Sequence, residues 1–232
     1  MQAMANGRRG PPRWRYLLDV LLLAGFVFAF PAGLQVAGLT APEGELRYAY
    51  FTATALAPVL FGWLLLRLRG QHLADIGLKR PDSWPMAVGL GLVTAAAIFG
   101  LVWLSEQAGM KRDLSGFAEL QGDLPLTLAA MGFAVVGAGF CEEFIFRGFG
   151  MRSFAGMFGD GRAAWASAVV LQAILFGLGH GVQGLWGVAL TGSIALVVGT
   201  MFLAAGRNLW PLIVAHAVYD VARFGWFYLN GV

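Results

Sequence analysis

Residues 124–147 read LPLTLAAMGFAVVGAGFCEEFIFR, and this stretch decides the fold. It is mostly apolar and longer than the roughly 20 residues that an α-helix needs to cross the hydrocarbon core of a membrane. Two adjacent glutamates, Glu142 and Glu143, and the arginine Arg147 interrupt the apolar run. Ionisable side chains are costly at membrane depth and usually face the interior of a helix bundle. The stretch therefore predicts a transmembrane helix that carries carboxylates into a bundle interior.

The composition of the whole chain is typical of a membrane protein. Of its 232 residues, 58% are hydrophobic and 12% are charged, whereas a soluble domain carries roughly 25% charged residues. The net charge of +3 does not indicate nucleic-acid binding, because the basic residues lie between apolar segments and form no basic face interleaved with aromatic residues. The single cysteine, Cys141, excludes an intrachain disulfide and is expected to pack as a small apolar residue.

The apolar segments predict an all-α fold, a polytopic bundle of about seven transmembrane helices with eight as the alternative. The expected spans are Tyr16–Leu39, Tyr48–Leu66, Met86–Leu104, Leu124–Arg147, Ala163–His180, Leu185–Ala205 and Asn208–Leu229. Residues 1–15 are expected to form a basic cytoplasmic segment and residues 16–232 a single membrane-embedded domain. The first apolar run is long and has no clear cleavage site after a small residue, which favours a spanning helix over a signal peptide.

Lysine and arginine are distributed unevenly about these spans. Twelve fall on one side: Arg8, Arg9, Arg13, Arg15, Arg67, Arg69, Lys79, Arg80, Arg147, Arg152, Arg162 and Arg207. Three fall on the other: Arg47, Lys111 and Arg112. Because cytoplasmic loops carry an excess of these residues, the bias predicts a cytoplasmic N-terminus, in the plasma (inner) membrane if the source is prokaryotic. With seven spans the C-terminus lies outside the cell, whereas with eight spans it lies in the cytoplasm.

Helical spacing sorts the polar residues inside the predicted helices. Glu143 and Arg147 are four apart and share a face, whereas Glu142 points about 100° away and is free for another partner. His180 lies four residues after Phe176, so an aromatic ring is expected one turn below the imidazole.

Two further pairs on the first and last segments have the same spacing. His216 and Asp220 repeat it on the last segment, and Asp19 is expected to pair with Arg15 near the end of the first helix.

A carboxylate, two histidines and a second carboxylate can activate water or bind a divalent metal. A polar network that only joins helices is the structural alternative, and a proton relay in a transporter could use the same groups.

Three ordered motifs on hydrophobic helices carry a family resemblance. They are EExxxR at Glu142–Arg147, FxxxH at Phe176–His180 and Hxxx(N/D) at His216–Asp220. In this order they resemble the CPBP family of intramembrane proteases, also called the Abi family. This family comprises CAAX proteases and bacteriocin-processing proteins and includes the Ras-converting endoprotease of eukaryotes. Asp75–Arg80 resembles a loop that precedes the family core, which is expected here at about 124–229.

The resemblance implies a glutamate-dependent endopeptidase whose site lies inside the membrane. Glu142 would be the general base, and His180 would help to position and polarise the attacking water. His216 and Asp220 would stabilise the oxyanion, while Glu143 and Arg147 would hold the first glutamate in place. Other members have Asn where this chain has Asp220. A carboxylate is a poor oxyanion donor unless protonated, so Asp220 is expected to orient His216 or to bind a metal.

The resemblance also implies a cofactor. The family is classed with metalloproteases, and zinc is the candidate metal, with Glu142, His180, His216 and Asp220 as ligands. The compact HExxH zinc signature is missing from the sequence.

The expected substrate is a membrane-associated or lipidated peptide or protein segment that enters from the cytoplasmic side or from the lipid. No nucleic-acid partner is expected. The runner-up function is a non-catalytic membrane scaffold or bacteriocin-immunity protein of the same fold. A proton-coupled transporter ranks third, because no inverted repeat is found.

The motif residues can form one site only if they lie at the same depth in the membrane. Glu142 and His180 reach one level only if the fourth helix continues through Met151–Phe158. His216 lies only nine residues past Arg207, so it joins them only if the sixth helix is short or tilted or the last helix starts deeper.

Overall fold

Helices make up about four fifths of residues 12–232, the part of the chain that the computed structural model describes. There are seven helical rods: α1 Arg13–Val36, α2 Leu46–Leu68, α3 Trp84–Gln107, α4 Leu124–Phe158, α5 Arg162–Gly179, α6 Gly184–Ala204 and α7 Trp210–Asn230. Short 3₁₀ turns occupy Leu73–Ile76, Ser115–Leu120 and Gly181–Gln183. No strand occurs in the described residues, and the predicted all-α bundle is confirmed.

Within the described chain, six rods are long and apolar enough to cross a membrane, namely α1 to α6. The rod α7 has 21 residues and carries His216, Asp220 and Arg223, and it falls outside this set. The expected segment 1–15 is largely outside the described residues, and so are Arg8 and Arg9. The part that is described differs from the expectation, since α1 already begins at Arg13.

The rod α4 is longer than an ordinary spanning helix. Its ends, Leu124–Phe133 and Met151–Phe158, are α-helical, whereas its centre, Ala134–Gly150, is a π-helix in which hydrogen bonds reach five residues back. Asp123 starts the rod by accepting the Leu126 N–H at 2.9 Å. Gly159 ends it in the left-handed region, with φ of 105°. The expected continuation through Met151–Phe158 is confirmed.

The last helix begins deep inside the bundle. The Leu209 N–H donates to the Gly77 carbonyl at 3.0 Å, and the Asn208 side-chain amide donates to the Lys79 carbonyl at 3.3 Å. Leu209 and Leu212 are fully buried, so the loop before α7 lies beneath the loop around Gly77. This settles how His216 reaches the glutamates of α4: the last helix starts deeper.

A close approach between α3 and α7 fixes the lateral position of α7. A Cβ added to Gly91 would lie 2.7 Å from Val214 Cγ1 and 2.8 Å from the Pro211 carbonyl oxygen. Real Cβ atoms do not approach so closely, so only glycine allows this contact. Gly89, on the same helix, has nothing within 4 Å of the corresponding point.

Gly91→Ala is therefore expected to lower the free energy of unfolding by about 1–3 kcal/mol, because the added methyl group forces α3 and α7 apart. Gly89→Ala is the matched control and should leave stability unchanged or raise it by up to about 1 kcal/mol, since alanine is the better helix former. Thermal unfolding of both variants in detergent measures the difference. Equal midpoints for the two variants would contradict the close packing.

One expected ion pair is wrong. Asp19 does not pair with Arg15, four residues earlier; its Oδ1 lies 2.6 Å from a guanidinium nitrogen of Arg69, the residue that follows α2. Arg69 also donates to the Arg15 carbonyl at 3.0 Å. Asp19 is buried against a neighbouring helix, and a partner on another helix is not visible in local spacing.

Candidate active site

The two glutamates of α4 face different surroundings. Glu143 is fully buried, and its Oε1 lies 3.0 Å from a guanidinium nitrogen of Arg147, which is buried as well. The Glu142 side chain keeps 28% of its surface exposed. Since the two neighbours diverge around the helix, one carboxylate belongs to an internal ion pair and the other is open to a cavity.

His216 connects the two carboxylates from the opposite helix. Its Nδ1 lies 2.8 Å from Oε1 of Glu143, so Nδ1–H donates to that carboxylate. Its Nε2 faces the cavity side, 3.8 Å from Oε2 of Glu142 and 3.4 Å from Oδ2 of Asp220. Glu143 therefore fixes the orientation of the ring, a contact that the sequence did not suggest.

His180 stands at the C-terminal end of α5. Its Nδ1 lies 2.8 Å from the Phe176 carbonyl oxygen. Because a carbonyl oxygen only accepts, Nδ1 carries the hydrogen, and Nε2 of the neutral ring keeps its lone pair. The ring is thus held in the tautomer that can accept a hydrogen bond through Nε2.

Phe176 packs against the charged and aromatic groups of three helices. The Arg147 guanidinium carbon lies 4.3 Å from the ring centroid, a cation–π distance that helps to compensate a buried positive charge. The centroid of Phe176 lies 4.6 Å from that of His180 and 6.4 Å from that of His216. The expected stacking of Phe176 beside His180 is present.

These side chains line one cavity of about 160 Å³. Among its lining residues are all seven residues singled out from the motifs, Glu142, Glu143, Arg147, Phe176, His180, His216 and Asp220. Cys141 is not among them and packs in an apolar cluster. Three helices that are distant in sequence thus bring acids and histidines to one partly enclosed site.

The cavity also includes residues that the sequence did not mark as functional. Arg112 and Gln183 line it from two loops, and the Asp113 N–H donates to the Gln183 carbonyl at 3.0 Å. An Arg112 guanidinium nitrogen lies 3.4 Å from the Tyr219 hydroxyl. Arg112 had only a topological meaning in the sequence, and no motif marks Gln183.

A metal site was the expectation for four of these residues. Throughout residues 12–232, no three side chains of His, Cys, Asp or Glu are grouped so that they could hold a metal ion. Nδ1 of His216 is already engaged by Glu143, and Nδ1 of His180 by a carbonyl. These contacts use Nδ1 and leave Nε2 of both rings, as in many metal-binding histidines, so the zinc site stays a prediction.

Comparison with protein families places this site in a known context. Residues 124–222 match the family model described as "Type II CAAX prenyl endopeptidase Rce1-like". The matched segment begins at the start of α4 and includes all seven motif residues of the cavity. The comparisons with curated proteins and with solved structures found no match.

Proposed function

We propose that the chain, whose residues 124–222 match the family model of Rce1-like type II CAAX prenyl endopeptidases, hydrolyses membrane-associated peptides with a water activated by Glu142 and His180. The family supports a CAAX-type intramembrane protease, and its spanning helices make the chain an integral membrane protein. The observation that carries the catalytic assignment is that Glu142 is open to the cavity, whereas Glu143 is locked in the pair with Arg147.

In the proposed first step, the Glu142 carboxylate removes a proton from a water molecule whose oxygen attacks the carbonyl carbon of the scissile peptide bond. Nε2 of His180 accepts a hydrogen bond from the second hydrogen of this water, which stays on the attacking oxygen, because the Nδ1–H of His180 donates to the Phe176 carbonyl. The tetrahedral intermediate then collapses, the C–N bond breaks, and Glu142 returns the proton to the leaving amine. The balance is one water consumed for each peptide bond cleaved.

The developing oxyanion needs a hydrogen-bond donor. His216 is the proposed donor through Nε2, and it can donate there only when both ring nitrogens carry hydrogen, since Nδ1–H is already given to Glu143. Glu143 acts as a positioning residue through this contact. Asp220, 3.4 Å from the same Nε2, is proposed to orient the imidazole rather than to donate to the oxyanion itself.

Asp220→Asn is expected to keep most of the activity, because the amide preserves the polar contact with Nε2 of His216 and adds a donor. Asp220→Leu removes the polar contact with His216 and should lower kcat by about 10²-fold. Cleavage rates of the two variants at equal folded concentration are the measurement. If the leucine variant cleaves as fast as the asparagine variant, position 220 plays no part in the reaction.

The proposal is tested directly with the purified wild-type protein and a farnesylated peptide carrying a fluorescence quencher. Cleavage at one defined bond is the expected result, and product mass identifies that bond. A folded protein that leaves every prenylated and unprenylated test peptide intact would instead favour the scaffold or immunity function. Elemental analysis of the active preparation, with chelator treatment, decides whether the family's assignment to the metalloproteases applies to this chain.

A further inference from the structure

Each end of the bundle is formed by its own set of three loops. One, the basic end, contains loops 69–83, 159–161 and 205–209, and Lys79 Nζ donates across it to the Gly206 carbonyl at 3.1 Å. The other, the lid end, contains loops 37–45, 108–123 and 180–183. Arg47 pairs with Glu119 there, and the Gly122 N–H donates to the Tyr228 carbonyl at 3.0 Å.

The cavity extends to the loops of the lid end. His180 lies where α5 ends, and Arg112, Phe117 and Gln183 line the cavity from the loops of that end. Of the described residues, none from the three loops of the basic end lines it.

The basic end is closed by packing. Ile76, Leu209 and Leu212 are at most 1% exposed, and the Gly77 carbonyl is bonded to the Leu209 N–H. Because these residues pack the loops of the basic end against one another, the route to Glu142 is placed at the lid end.

The distribution of lysine and arginine between the two ends indicates which end faces the cytoplasm. In the described chain, nine lysines and arginines lie at the basic end: Arg13, Arg15, Arg67, Arg69, Lys79, Arg80, Arg152, Arg162 and Arg207. Four lie in or near the loops of the lid end, Arg47, Lys111, Arg112 and Arg223, and Arg223 pairs there with Glu106 near the end of α3. Short cytoplasmic loops carry the excess of these residues, so the basic end faces the cytoplasm.

We infer that the catalytic cavity opens on the side of the membrane away from the cytoplasm, and that its substrates are peptide segments exposed at that outer surface. That the cavity takes a substrate at all rests on the proposed function. The side of the membrane on which the cavity opens is argued from the loop charges and the residues that line the cavity. It replaces access from the cytoplasm, which the sequence alone had favoured alongside access from the lipid. The substrate class is then exported or outward-facing juxtamembrane segments rather than cytoplasmic C-termini.

Labelling of single cysteines tests the side independently of activity. Cys141 is the only cysteine and is fully buried, so the wild type serves as the unlabelled background. Gly116→Cys lies at the lid end and Gly161→Cys at the basic end. Both positions are exposed, and an added Cβ would meet nothing within 4 Å.

With a membrane-impermeant maleimide, Gly116→Cys is expected to be labelled in intact spheroplasts, whereas Gly161→Cys is labelled only in inside-out vesicles. The reverse pattern would overturn the inference and leave the proposed function standing, because cleavage by the detergent-purified enzyme does not depend on sidedness. A protein labelled as expected that cleaves no peptide in detergent would overturn the proposed function instead. A charged, membrane-impermeant peptide should be cleaved by the wild type in spheroplasts and spared in inside-out vesicles.

Discussion

Glu142→Gln is expected to lower the rate of peptide cleavage by about 10²–10⁴-fold while the protein stays folded. The amide has nearly the same shape as the carboxylate but cannot take a proton from water. Glu142 is open to the cavity, and its closest ion-pair contact is the 3.8 Å approach to His216. The substitution therefore removes the proposed base without breaking an internal ion pair. Initial cleavage rates and the thermal midpoint of the same preparation measure the two effects.

Glu43→Gln is the matched control for this experiment. Glu43 is exposed in loop 37–45, far in the chain from the motifs, and the chemical change is identical. We expect its cleavage rate and midpoint to equal those of the wild type. A Glu142→Gln protein with wild-type turnover would rule out Glu142 as the base.

Glu143→Leu is expected to lower stability as well as activity, with a loss of about 3–5 kcal/mol in the free energy of unfolding. The substitution leaves the guanidinium of Arg147 buried without its counter-charge. His216 also loses the acceptor that fixes its ring, so activity should fall together with stability. Equilibrium unfolding in mixed detergent micelles gives the free energy, and the cleavage assay gives the activity.

Two further variants test whether the unpaired charge of Arg147 causes the loss of stability in Glu143→Leu. In Glu143→Leu with Arg147→Met both charges are gone, so much of the stability should return while activity stays low. Glu119→Leu breaks the pair with Arg47, in which the Glu119 side chain is 47% exposed, and should cost at most about 1 kcal/mol. A Glu143→Leu protein as stable as the Glu119→Leu protein would contradict the importance of the internal pair.

Much of the fold could be predicted because spanning helices are encoded locally. Every expected span is occupied by a helix, and the boundaries differ by a few residues, with one exception. Hydropathy ended the fourth helix at Arg147, and only the requirement that Glu142 and His180 meet extended it to Phe158. The π-helical hydrogen bonding of Ala134–Gly150 was not predicted, since it depends on how α4 packs against its neighbours.

The candidate site was predicted as a set of residues but not as a network. Spacing along one helix gave the Glu143–Arg147 pair and the Phe176–His180 contact, because both lie four residues apart. The bond from His216 to Glu143 joins residues 73 positions apart, and the pairing of Asp19 with Arg69 likewise joins two helices. Such contacts are decided by tertiary packing, on which helical periodicity carries no information.

The polar contacts of α7 have a consequence for how the protein is made. His216 and Arg223 find their partners on earlier helices, since Glu143 belongs to α4 and Glu106 to α3. A charged residue at the centre of a helix costs about 2.5–3.5 kcal/mol during insertion by the translocon, and α7 is the rod outside the apolar set. We therefore expect ordered biogenesis, in which the helices synthesised first pack together and supply polar partners before the last helix enters the bilayer.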